Sequence, residues 1–201
     1  MKRLFLSLNK WKKFEIFLNQ HLDFKKEDFL LTPPLLKEPL KPLWIILIRA
    51  GSASLGFFYQ KKIVLHKRIT AYMTRKKQGK AQLTYLKTKG KSRAGSRHRL
   101  KESYEFFEQI NQKLQRWNKK PLKPQEIYYF CPVGLKNLWF SSKIPPPFDK
   151  KDVKLKKLPF YFNKPTHQEL KKAFWLLNAF CITGHNNFLD TLWQEFLKTP
   201  S

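Results

Sequence analysis

The residues best suited to chemistry in this chain lie in one segment, YMTRKKQGKAQLTYLKTKGKSRAGSRHRL, from Tyr72 to Leu100. Near its middle stands Gln82, an uncharged donor and acceptor among lysines and arginines. Its amide can orient a water molecule without ionising, but it is a poor general base. Catalysis through it must come from positioning and from stabilisation of developing charge by neighbouring donors, backbone N–H groups included. Gly79, three residues earlier, supplies the backbone freedom that close approach to a reacting ester or phosphodiester requires, and Ala81 adds little bulk. Most glutamines in basic segments do no chemistry, so QGKAQ alone leaves a catalytic and a bystander role open.

The surroundings of Gln82 bear on the choice. No acidic residue occurs from Pro39 to Lys101, and the basic residues are densest from Lys67 to Lys101. Arg75, Lys76, Lys77, Lys80, Lys87, Lys89, Lys91, Arg93, Arg97 and Arg99 are candidate RNA contacts. Each phosphate they neutralise releases counterions, which gives steep salt dependence and little sequence preference. The alternative is a solvated insertion whose charge only aids solubility. Tyr85 is placed to stack on an unpaired base, and Tyr72 either does the same or packs at the base of the loop. His66, just before Lys67 at the end of a strand, is expected to support that base. His21, His66, His98, His167 and His185 show no metal-ligand spacing with one another or with Cys131 and Cys181, so neither a metal nor another cofactor is expected. The two cysteines read as core thiols. Glu102, Glu105 and Glu108 read as a solvated helix face, and no nucleotide-binding glycine loop or serine elbow appears.

The elements that must position this segment follow from hydrophobic patterning. The 201 residues are 42% hydrophobic and 15% aromatic, enough for a real core, and carry a formal net charge of +27. Such a field attracts polyanions, either nucleic acid or an anionic membrane. LWIILI at 43–48 is far too short to cross a bilayer, and the N-terminus lacks a small-residue cleavage site, so a cytoplasmic protein without a membrane association is expected. Residues 1–43 read as an N-terminal arm with a proline-rich connector, and 44–201 as one domain whose loop covers about 70–98. LWIILIRAG, SASLGFFYQ and KKIVLHKRI read as three consecutive strands in a meander. Leu100, Tyr104, Phe107, Ile110, Leu114 and Trp117 mark an amphipathic helix of about twenty residues. EIYYFCPVG reads as a buried strand, LKNLWFSSK as a short helix or turn, and VKLKKLPFYF as a last strand. Thr166 and Glu169 make a capping-box signature for a helix that the spacing of Leu170, Phe174, Leu177 and Cys181 carries on to Gly184, and NNFLDTLWQEFLK forms another. The expected fold is a single α/β domain with a mixed sheet of about five strands, packed helices and a long basic mobile loop.

Three separated blocks, in order, carry a family resemblance: HKRITAYMTRKKQGKAQ, then KGKSRAGSRHRL leading into a long helix, then LKKLPFYFNKPTHQELKKAFWLL. They resemble the release-factor-like domain of the Vms family, which acts in ribosome-associated quality control and is distantly related to the GGQ domain of eukaryotic class-one release factors. The likeness covers about residues 44–182. It implies that Gln82 corresponds to the family's functional glutamine and Gly79 to the first glycine of its G-x-x-Q loop. Lys80 stands where many relatives have a second glycine. Ser92, Ala94, Gly95, Arg97 and Arg99 resemble the family's S-A-G-x-x-x-R-R segment, with Arg93 as an extra residue. The resemblance implies a monomer that enters a large ribosomal subunit, meets rRNA and peptidyl-tRNA, and frees the nascent chain by ester hydrolysis or by cleavage of the tRNA near its CCA end. A non-catalytic rRNA-binding or ribosome-assembly protein is the other class that the charge pattern fits, and binding driven by net charge alone is the third.

Overall fold

The structure of the protein is a computed structural model that describes residues 2–20, 29–36, 40–71 and 94–198. In chain order the elements are β1 (Lys2–Leu6), α1 (Leu8–Gln20), β2 (Phe29–Thr32), β3 (Leu43–Arg49), β4 (Ser52–Tyr59), β5 (Lys62–Thr70), α2 (Ala94–Asn118), β6 (Glu126–Phe130), α3 (Val133–Phe140), β7 (Leu155–Lys157), α4 (His167–Asn178), β8 (Phe180–Gly184) and α5 (Asn186–Lys198). They form two compact units: Leu40–Leu170, and Met1–Pro39 with Lys171–Ser201.

The larger unit holds a five-stranded mixed sheet of order β5-β4-β3-β6-β7, as the patterning predicts for an α/β fold. β3, β4 and β5 form the expected antiparallel meander, while β6 joins β3, and β7 joins β6, in parallel. Residues 43–48 of β3 are all buried, which is why that strand is apolar without alternation. Trp44, Ile46 and Ile48 face the same core as Phe106, Phe107, Ile110, Leu114 and Trp117 of α2. Gly56 of β4 is a close approach: a Cβ there would lie 2.8 Å from Phe58 and 3.2 Å from Leu170. The β4–β5 hairpin turns at Gln60 and Lys61, whose φ of 49° and 64° are the signature of a type I′ turn.

α2 begins at Ala94, four residues before the expected start, and runs for 25 residues. Inside its buried face sits one polar side chain, Asn111. Its Oδ1 accepts the Trp139 indole N–H at 2.7 Å. Its amide nitrogen lies 2.8 Å from the Ser142 hydroxyl, 2.8 Å from the Ile144 carbonyl and 3.1 Å from the Trp139 carbonyl. A single asparagine thereby fastens α3 and the turn after it to the middle of α2.

The smaller unit carries a three-stranded antiparallel sheet, β1-β8-β2. Over this sheet α1 and α5 bring together Phe14, Phe17, Leu189 and Leu192 around Ile182, with Trp11 stacked on Phe180 at 4.8 Å. The strands β1 and β2 are additions to the sequence reading, which found only helical and proline-punctuated character there. One expectation is corrected. The spacing that placed Cys181 on a helix face does not continue, because α4 stops at Asn178 and Cys181 lies in β8. Ala179 N–H bonds Leu176 O at 3.3 Å, closing the last turn tightly, and the following backbone pairs with strands on both sides. The start of α4 is as the capping signature predicts: Thr166 Oγ1 accepts the Glu169 N–H at 3.2 Å. Among the described residues no helix is long and apolar enough to cross a membrane.

Replacing Asn111 with leucine keeps the branched shape but strands the Trp139 indole N–H, while the Ile144 carbonyl retains the Ser142 hydroxyl. We expect Asn111→Leu to lose about 2–4 kcal/mol of stability, read as a lower urea midpoint with an unchanged slope.

Candidate nucleic-acid interface

Two described elements flank the candidate segment. β5 ends at Thr70 and α2 starts at Ala94, so the connection is 71–93, shorter than the expected loop of about 70–98. Because β4 is antiparallel to both neighbours and β6 and β7 are parallel to β3, the C-terminal ends of β3, β5, β6 and β7 lie along one end of the sheet. Carboxyl ends of strands are where open α/β sheets bind ligands. Thr70 pairs with Ser52, and Ser52 with Arg49, so the chain departs from the sheet two strands, or about 10 Å, from Arg49. The departure is pinned by Ala71 N–H, which donates to Gly51 O at 3.0 Å in the β3–β4 turn, where Gly51 adopts a φ of 72°.

Gly79, Gln82, Arg75, Lys76, Lys77, Lys80, Tyr85, Lys87, Lys89, Lys91 and Arg93 lie outside the described residues, as do Tyr72 and Ser92. Ala94, Gly95, Arg97 and Arg99 fall in the first two turns of α2, so the part of the second basic block from Ala94 onward belongs to a helix start. A helix N-terminus carries partial positive charge that favours anions.

Basic residues continue back from Thr70 along β5, which is an edge strand. Lys62, Lys67 and Arg68 are exposed there. At the end of β3, Arg49 points to the segment after β7. Its guanidinium lies over the Tyr161 ring at 5.0 Å and donates to the Tyr161 hydroxyl and, at 3.3 Å, to the Phe162 carbonyl. Sequence reasoning had no means of finding this pair, since 112 positions separate its members and neither residue sits in a recognisable local pattern.

His66 is not at the end of its strand, as expected, but in the middle of β5, opposite Gly56. Its Nε2 is 3.2 Å from the fully buried Ser54 hydroxyl, and its ring meets that of His167 at a centroid distance of 4.5 Å. Burial, and secondly the His167 imidazole, lower the His66 pKa below the ordinary histidine value. Among the described residues no group of three or more His, Cys, Asp and Glu side chains is placed to hold a metal ion.

This imidazole pair sets a sign for the pH dependence of folding. The unfolded chain takes up a proton at His66 near pH 6.5 and the folded chain only at lower pH. The unfolded state therefore binds more protons in between, so stability is full above about pH 6.5 and falls as the pH drops toward the folded value. His167→Gln removes the imidazole charge from that pair. Urea unfolding of both proteins between about pH 7.5 and 5 should show a shallower loss of stability in the variant.

Residues 43–184 match one protein family, described as Bacteroidetes VLRF1 release factor. No curated protein matches the chain. Among solved structures the chain is similar to one titled "Vms1 mitochondrial localization core", with 18% identity and a TM-score of 0.46 over 72% of this chain and 58% of that one. Another, titled "PilM-PilN type IV pilus biogenesis complex", has 11% identity and a TM-score of 0.32 over 88% of this chain and 74% of that one. The family match opens on the first residue of β3 and closes on the last residue of β8, taking in the whole five-stranded sheet, the 71–93 connection and α2. That span bears out the resemblance drawn from the three sequence blocks, and the chain belongs to the Bacteroidetes VLRF1 release factor family.

Proposed function

We propose that this protein releases nascent peptide from peptidyl-tRNA on obstructed large ribosomal subunits, acting as a cytoplasmic monomer through the segment that carries Gly79 and Gln82. The observation that carries this reading is the placement of the 71–93 connection. It leaves the carboxyl end of the sheet between an anchored strand end and the start of a long packed helix. Half of its contour is on the order of 40 Å, long enough to reach from a domain surface into a recessed site. The absence of any carboxylate from Pro39 to Lys101 leaves its charge for an external polyanion.

In this reading Arg75, Lys76, Lys77 and Lys80 neutralise RNA phosphates on entry, with Lys87, Lys89, Lys91 and Arg93 on the return and Arg97 and Arg99 at the helix start. Tyr85 stacks on an unpaired base. Gln82 then positions the attacking group. For ester hydrolysis, a water oxygen held by the amide adds to the ester carbonyl carbon, and the bond to the tRNA 3′ oxygen breaks. That oxygen keeps the electron pair and takes the proton from water, giving a peptide acid and an intact CCA end. For cleavage of the tRNA backbone, a 2′-hydroxyl attacks the adjacent phosphorus and the 5′ oxygen of the next nucleotide leaves with its proton. The products are a cyclic phosphate end and a peptide still joined to the terminal nucleotides. Basic side chains stabilise the charge on phosphate in the second case.

The test is peptide release from purified large subunits loaded with labelled peptidyl-tRNA. Wild type should release the peptide and Gln82→Ala should lose about 100-fold or more in rate, while still binding subunits. The 3′ end of the released tRNA, intact or shortened, separates the two chemistries. Equal release by both proteins would remove Gln82 from the chemistry, and none by either would leave an rRNA-binding protein without catalysis.

A further inference from the structure

The side chains of Arg49 and Tyr161 meet at the carboxyl end of the sheet with a geometry that packing alone does not require. Phe130, at the end of β6, packs against Tyr161 at 5.6 Å with the rings 84° apart, and the Arg49 guanidinium lies over the ring. Tyr161 nonetheless stays 68% exposed. The residue is thus held by these two contacts and still open to water over most of its surface.

Arg49 is preorganised in the same way. Its Nη1 donates to the Tyr161 hydroxyl and the Phe162 carbonyl. A guanidinium has five N–H donors, so those on Nη2 and Nε are still to be placed. Neither of the segments that meet here carries a counter-ion: residues 39–101 and 153–168 contain no Asp or Glu. Glu126 stands four residues back along β6, about 13 Å away by strand rise, and its carboxylate is engaged by Lys156. A cation without an internal acid, beside a fixed and open aromatic ring, has the two elements that bind one unpaired nucleotide: a face for the base and donors for the phosphate.

We propose that Tyr161 and Arg49 form a stacking platform for a single unpaired nucleotide of RNA, with the base on the open part of the Tyr161 ring and a phosphate against the free edge of Arg49. The choice of RNA as the partner rests on the function proposed above. The platform lies about 10 Å from the point where the 71–93 connection leaves the sheet. It would hold the domain on its RNA while Gln82 acts elsewhere.

The experiment is equilibrium binding of a labelled single-stranded oligoribonucleotide ending in CCA to the full chain, over a range of salt concentrations. Tyr161→Leu, which keeps apolar bulk but not the ring, should weaken binding about tenfold. Tyr161→Phe should stay within about threefold of wild type, since the stacking face is retained. Arg49→Gln should lower the slope of log affinity against log salt by about 0.7, the loss of one phosphate contact on a single strand. Equal affinity for Tyr161→Leu and wild type, or an unchanged salt slope for Arg49→Gln, overturns the platform. Urea midpoints of the variants check that they fold. Gln82→Ala, measured in both assays, keeps the two proposals apart. A protein whose release is indifferent to Gln82 but whose binding depends on Tyr161 refutes the catalytic reading alone, and the reverse pattern refutes the platform alone.

Discussion

The contact on which the carboxyl end of the sheet depends is the packing of α2 against one face of the five-stranded sheet. Phe106, Phe107, Ile110, Leu114 and Trp117 are buried there with Trp44, Ile46 and Leu55, and Ile69 of β5 belongs to the same core. β5 and α2 are the two elements from which the basic connection departs and to which it returns. Burying the five large α2 side chains contributes on the order of 10 kcal/mol before conformational entropy is set against it. That attraction opposes the mutual repulsion of the many cations between Lys67 and Lys101. Within the helix, Asn111 adds direction to what is otherwise a greasy contact, because Trp139 and the turn at Ser142 can satisfy their polar groups in one placement only.

The few carboxylates make the same point from the other side. Among the described residues, Glu126 engages Lys156 and Asp190 engages Lys2, while Asp152 accepts the backbone N–H of Lys154 in the turn before β7. Glu105, just past the basic connection, pairs with Lys101 on the surface of α2, and no carboxylate lies from Pro39 to Lys101 itself. Exposed pairs of this kind add little to stability. Their effect is to leave the positive potential at the carboxyl end of the sheet uncancelled, which is what a polyanion-binding surface requires.

Much of this organisation was legible in the sequence, for reasons that also explain the failures. The runs at 43–49, 52–59 and 62–70 announced strands because their β-branched and aromatic residues are broken by short turns, and neighbours in sequence became neighbours in the sheet. The three-and-four spacing from Leu100 to Trp117 announced α2 because Phe107, Ile110, Leu114 and Trp117 share its buried face. The same spacing misled at Cys181. Leu170, Phe174, Leu177 and Cys181 fit one helical face, and only the pairing of β8 with β1 and β2, which lie more than a hundred residues away, turns the chain into a strand. Arg49 and Tyr161 were silent for the same reason, since their meaning arises only once β3 and the segment after β7 are side by side. The roles proposed for Gly79 and Gln82, by contrast, rest on a resemblance spread over three blocks, and no pattern within QGKAQ itself distinguishes them.

The strand order β1-β8-β2 has a consequence for how the chain is made. β8 is the middle strand of its sheet and follows both of its partners in the chain, with the whole five-stranded sheet encoded between them. Until β8 emerges, β1 and β2 have no hydrogen-bonded neighbour in that sheet, so their edges must wait through the synthesis of the five-stranded sheet. A topology with such distant pairing folds slowly and offers unpaired strands to other chains in the meantime. The three-stranded sheet thus becomes complete only after every strand of the five-stranded sheet has been made.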